Sequence, residues 1–199
     1  MKQNIQQRQL EVDDQMKTIA LISAAVVCLQ IAAFAAPDSA TTGPYNVSFD
    51  IGLPQDDYYL TVSDPMETET LGGDKRMEYS LYIRDNSSLN RFMMIKIKHL
   101  DAGKDLPIVT GSDWEYILDS AYENDPACIN YFSDKRTIDS ADGAVASMTH
   151  VEDSKTTDIY HALYQTTFDS NISVEIFSEY PWDGGTLQLL KTIHVEKMG

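Results

Sequence analysis

From Val47 onward, apolar and polar residues alternate with a period of two over most of the chain, and this alternation limits the possible folds more than any other feature. Val47, Phe49 and Ile51 alternate with Ser48 and Asp50; Tyr58, Leu60 and Val62 with Tyr59 and Thr61. Met77, Tyr79, Leu81 and Ile83 alternate with Glu78, Ser80 and Arg84, and Met93, Ile95 and Ile97 with Met94, Lys96 and Lys98. The pattern returns at 144–149, 158–168 and 172–177. Successive side chains of a strand point to opposite faces, so such runs predict strands with one buried and one polar face. Asp85-Asn86, Asp142-Gly143 and Asp169-Ser170-Asn171 supply turn residues between them. Short turns imply antiparallel neighbours.

Two segments break the period. In GSDWEYILDSAYEND, Ser112 and Glu115 have capping-box spacing, and Trp114, Ile117, Leu118, Ala121 and Tyr122 share one helical face before Pro126. In WDGGTLQLLKTIHVEK, Gly184-Gly185-Thr186 opens a helical pattern through Leu187, Leu190 and Ile193, and the segment turns extended around 193–195. The expectation is an α+β domain, a mainly antiparallel sheet with helices packed on it.

The chain begins with a different kind of segment. Lys17 precedes an apolar run from Ile19 to Ala36, and Ala33-Phe34-Ala35 has the small-x-small form of a signal-peptidase site. Residues 1–35 therefore read as a leader, cleaved as a signal peptide or retained as an N-terminal membrane anchor, with a buried helix of the domain as the third reading of the apolar run. Eighteen residues rise about 27 Å as a helix, enough to span a thin bilayer core. Met16-Lys17 resembles a start of its own, which leaves Met1 or Met16 as the true beginning. Both readings of the leader place the rest of the chain outside the cytoplasm, secreted or at the cell surface. Residues 36–44, rich in Pro, Gly, Ser and Thr, read as a linker, and 45–199 as one domain.

Charge narrows the partners. The chain carries a net charge of −16, and removing residues 1–35 takes three basic and three acidic residues, leaving that value unchanged. Such a surface repels phosphate backbones and anionic headgroups, so nucleic acid is excluded and a membrane is met only through the N-terminal segment. Cys128 is the one cysteine beyond the leader, so no intramolecular disulfide forms. Asn46, Asn86 and Asn171 head glycosylation sequons.

Signs of chemistry are sparse. There is no nucleophile-elbow motif and no phosphate-binding glycine loop, and no cofactor is implied. His150-Val151-Glu152 lacks the Cys-x-x-Cys of a zinc deaminase, and His99 and His161 form a metal pair only if they face each other. Asp101, Asp105, Asp139 and Asp142 are weak calcium candidates without EF-hand spacing. Tyr58, Tyr59, Tyr180 and Trp182 are the candidate binding residues, because Tyr and Trp near element ends suit recognition surfaces. The reading is a non-catalytic binding or accessory module meeting a protein or cell-envelope partner. The alternatives are a small extracellular hydrolase using paired carboxylates and a structural envelope component.

The order of elements, with TIDSADGAVASM before the strand at 158–168 and LLKTIHVE at the close, resembles the PsbP-like α/β/α sandwich group. It is also similar to an uncharacterised secreted family of methanogenic archaea. The resemblance covers about 45–197. It implies an α/β/α sandwich and an accessory or binding role.

Overall fold

The structure is a computed structural model that describes residues 37–70, 73–87 and 91–199. The expected leader falls outside these residues. Among them, no helix is long and apolar enough to cross a membrane.

Eleven strands and two short α-helices are found among the described residues. In chain order the strands are β1 (Asp38–Thr42), β2 (Tyr45–Phe49), β3 (Tyr58–Val62), β4 (Met66–Glu69), β5 (Lys75–Asp85) and β6 (Phe92–Asp101). Helix α1 (Gly111–Tyr122) follows, then β7 (Cys128–Ile138), β8 (Ala141–Glu152), β9 (Lys155–Gln165) and β10 (Ile172–Ser178). A π-turn at Trp182–Thr186 leads into α2 (Leu187–Thr192) and β11 (His194–Lys197).

The strands form two sheets. The larger runs β3-β5-β6-β10-β9-β8-β7, with β4 also paired to β5, and the smaller runs β1-β2-β11. Every pairing is antiparallel. β1 lies within the stretch read as a linker. Its sequence DSATT has little apolar character, and pairing with β2 makes it a strand.

This β-rich arrangement corrects the expected α+β class and its PsbP-like α/β/α sandwich. The layer facing the large sheet is a second sheet, not a helical layer. Tyr45, Val47 and Phe49 of β2 and Val195 of β11 form one core with Tyr79, Leu81, Ile83, Ile95 and Ile176 of the large sheet. Tyr45 meets Tyr79 edge to face, with ring centroids 5.3 Å apart. The expected second helix shrinks to the six residues of α2 because Gly184 and Gly185 depart from helical geometry, Gly185 at φ +139°. Leu189, Leu190 and Ile193 still reach the core.

Helix α1 covers part of the opposite face. Leu118 packs with Ala144, Ala146, Met148, Ile159 and Leu163 of β8 and β9. The two alanines let the helix approach closely. At its start, a Cβ on Gly111 would stand 2.9 Å from the Gly143 carbonyl, so only glycine fits there. The cap lies two residues before the expected one: the Thr110 side chain accepts from the Asp113 N–H, and the Asp113 carboxylate accepts from the Thr110 N–H.

The two coverings are offset. The small sheet and α2 cover one face chiefly over β5, β6 and β10. Helix α1 covers the other face over β7, β8 and β9. Among the described residues, each face therefore keeps a half that neither covering reaches, and these halves lie diagonally across the sheet.

Candidate functional site

The first open half lies on β7–β9, on the side of the small sheet. Ser147 pairs with Phe132 and Tyr160, and Val145 pairs with Asp134 and Ala162. Cross-strand partners share a face. Two-residue periodicity then sets Phe132, Asp134 and Arg136 on that same face. Trp182, from the π-turn after β10, closes one side. These residues line a cleft of about 280 Å³.

The walls are aromatic. Tyr160 and Trp182 lie with ring centroids 5.4 Å apart at 41°. Phe132 is 63% exposed, unusual for a ring of this size. The Arg136 guanidinium sits 5.3 Å from the Trp182 ring centre, a cation–π contact, and its Nη2 stands 3.6 Å from Asp134 Oδ2. Burial raises the Tyr160 phenol pKa, and Asp158 and Asp183 add to the rise. The phenol therefore remains a neutral donor and acceptor at neutral pH.

Two larger clefts have several lining groups tied up in hydrogen bonds of their own. One, of about 630 Å³, is walled by the loops around Asp105, Asp142, Gln165 and Asn171. Gln165 is bonded to Val109, Pro107 and Ser170, Asn171 to Leu106, and Asp142 to Gly111. The other, of about 520 Å³, borders Tyr180, Asp85 and Asn86. There Asp85 holds the Ser87 N–H and Asn86 holds the Asp56 carbonyl.

The other half, on the far face over β5, β6 and β10, carries a charge ladder in which Glu78 is buried. Arg76 Nη2 is 2.8 Å from Glu78 Oε1, Lys96 Nζ is 3.5 Å from Glu78 Oε2, and Lys98 Nζ is 2.7 Å from Glu175 Oε2. His161 Nε2 lies 2.8 Å from Glu175 Oε1, and its Nδ1 is 2.7 Å from the Tyr122 hydroxyl. Burial opposes ionisation of Glu175. Hydrogen bonds and charge from His161 and Lys98 outweigh it and hold the carboxyl at about 2. The chain of contacts fastens the last turn of α1 to the sheet.

Of the four aromatics expected at a binding surface, the cleft contains Trp182. Tyr58 and Tyr180 lie outside this cleft and are buried, with the Tyr58 hydroxyl bonded to Asp38 and Tyr180 bordering the cleft of about 520 Å³. Burial pushes the Tyr180 phenol up to about 12. Tyr59 is exposed on β3, at the far side of the sheet from β7. Phe132, Arg136 and Tyr160 escaped the sequence reading; the spacing Phe132-Asp134-Arg136 was the available signal.

The acidic candidates do not converge. Asp139 accepts the Val195 N–H at 2.9 Å and faces His194 Nδ1 at 2.7 Å. Asp142 holds the start of α1 through Gly111. Asp101 ends β6, and Asp105 lines the loop cleft. No group of three or more potential metal ligands occurs among the described residues. His99 and His161 cannot pair, because β10 separates their strands. They also lie on opposite faces: His99 approaches Tyr45 of the small sheet and His161 approaches Tyr122 of α1. Cys128 is a buried free thiol beneath α1, with its pKa raised by burial.

Comparison with protein-family models, with curated proteins and with solved structures yields no match.

Proposed function

We propose that this protein is a non-catalytic binding module, exported and displayed at the cell surface, that holds a cell-envelope partner in the cleft on β7–β9. The observation that carries this reading is the exposed Phe132 beside Trp182, Tyr160 and Arg136, on a part of the sheet that no described element covers. Exposed apolar patches rimmed by polar groups mark interaction sites, and aromatic residues and Arg dominate binding hot spots. The acidic surface keeps the domain soluble and repels polyanions, which selects against nucleic acid. The apolar run at 19–36, read as a leader, supports display where envelope components are met, and a retained leader would tether the domain there.

The test is sedimentation of labelled full-length protein with isolated cell envelopes. Wild type should co-sediment saturably, and Trp182→Ala should lose at least tenfold in affinity. Equal sedimentation of both would remove the cleft from the account.

A further inference from the structure

We infer that the cleft seats an uncharged sugar ring of an envelope glycan. This assignment rests on the binding reading above and gives it a ligand class.

A saccharide ring presents apolar C–H faces and a rim of hydroxyls that both donate and accept. The cleft offers the same mixture. Phe132 and Trp182 give apolar ring surface. Arg136 brings N–H donors and Asp134 carboxylate acceptors. Ser147 offers a hydroxyl oxygen that accepts while its proton reaches the Phe132 carbonyl at 3.5 Å, and the Tyr160 phenol, already bonded to the Trp182 backbone, donates. Stacking on Trp182 and proximity to Asp134 preset the guanidinium, which lowers the entropy cost of using its donors. At about 280 Å³, the cleft lies at the small end for ligand sites and suits about one ring of a longer chain that runs out over the open sheet.

Other ligand classes fit less well. A cation would seek the Trp182 ring, but Arg136 already occupies that position. An anion meets Asp134 in the cleft, with Asp158 and Asp183 near Tyr160, on a chain of net charge −16. A purely apolar ligand would leave Arg136 and Asp134 desolvated without new partners.

Neutral oligosaccharides, namely oligomers of glucose, mannose, galactose and N-acetylglucosamine, are titrated into the full-length protein. Binding is read by tryptophan fluorescence and by saturation-transfer NMR. At least one series should bind saturably with a millimolar or tighter dissociation constant and shift the Trp182 emission, which Trp182→Phe identifies against Trp114. Phe132→Ala and Arg136→Gln should each weaken binding at least fivefold with an unchanged unfolding midpoint, and uronic acid oligomers should bind more weakly. Absence of sugar binding in a protein that still sediments with envelopes through Trp182 would overturn the sugar assignment and leave the binding cleft standing. Failure of both assays would overturn both. Sugar binding indifferent to Phe132→Ala and Arg136→Gln would move the site elsewhere and also overturn the assignment.

Discussion

Asp139 Oδ2 accepts the backbone N–H of Val195 at 2.9 Å, so one residue in the β7–β8 turn ties the large sheet to the last strand of the small one. The same carboxylate faces His194 Nδ1 at 2.7 Å. Asp139 itself sits at φ +50°, where Asn and Asp are tolerated and most residues are strained. Asp139→Ala should therefore cost about 1–3 kcal/mol, through an orphaned N–H and backbone strain. Asp139→Asn should cost less. Urea unfolding curves check the order.

His194 gives the same contact a pH signature. Hydrogen bonding to Asp139 raises its pKa, and its slight burial opposes the rise. A raised value means the contribution is full below the unfolded pKa near 6.5 and fades as pH rises through the folded one. Proton NMR titration should show His194 returning to its ordinary value in Asp139→Asn. An unmoved titration would break the link.

Glu175 acts in the opposite direction. Its folded pKa of about 2 lies below the ordinary 4.5, so its contribution is complete above about pH 5. It is lost between about pH 4.5 and 2, and totals on the order of 3 kcal/mol. Wild type should show this acid loss, and Glu175→Gln should show a flatter limb from a lower plateau. Parallel limbs in the two proteins would refute the assignment.

Helix α1 gives a contrast within adjacent positions. Leu118 is 1% exposed against β8 and β9, and Ile117 is 44% exposed. Leu118→Ala should cost about 2–5 kcal/mol, and Ile117→Ala at most about 0.5 kcal/mol. Chemical denaturation of both variants decides it.

Gly43 joins β1 to β2 at φ +56°, and an added Cβ would collide with the Tyr79 ring in the core. Gly43→Ala combines a disfavoured backbone with overpacking and should cost at least about 2 kcal/mol. A thermal midpoint within about a degree of wild type would show that the turn can rearrange.

The strands with one deeply buried face were legible from sequence. β2, β6 and β10 show the alternation in their burial, because the core lies on one face, whereas β5, β8 and β9 are also strands expected from the sequence but are buried on both faces over part of their length. β7 was not legible. It is an edge strand with both ends buried and a mostly exposed middle, so no apolar stripe marks it. Polar β1 and β4 depend on their neighbours for strand character. The fold class failed for a related reason: helical spacing near 187–193 was real, but the preceding glycines limited its length, and β1 and β11 joined β2 to build a sheet where a helical layer was expected. The cleft depends on register. Sequence shows that Tyr58 and Trp182 are aromatic near element ends. Only non-local pairing decides that Tyr58 faces the core and that Trp182 meets Tyr160 and Arg136.

Hydrogen–deuterium exchange of the full-length protein, with and without isolated envelopes, tests the binding cleft most directly. Added protection is expected in the peptides covering 130–147, 158–162 and 180–186, with exchange in β3, β4 and the 102–110 loop unchanged. Protection confined to those latter segments, with none at 130–147 or 180–186, would contradict it.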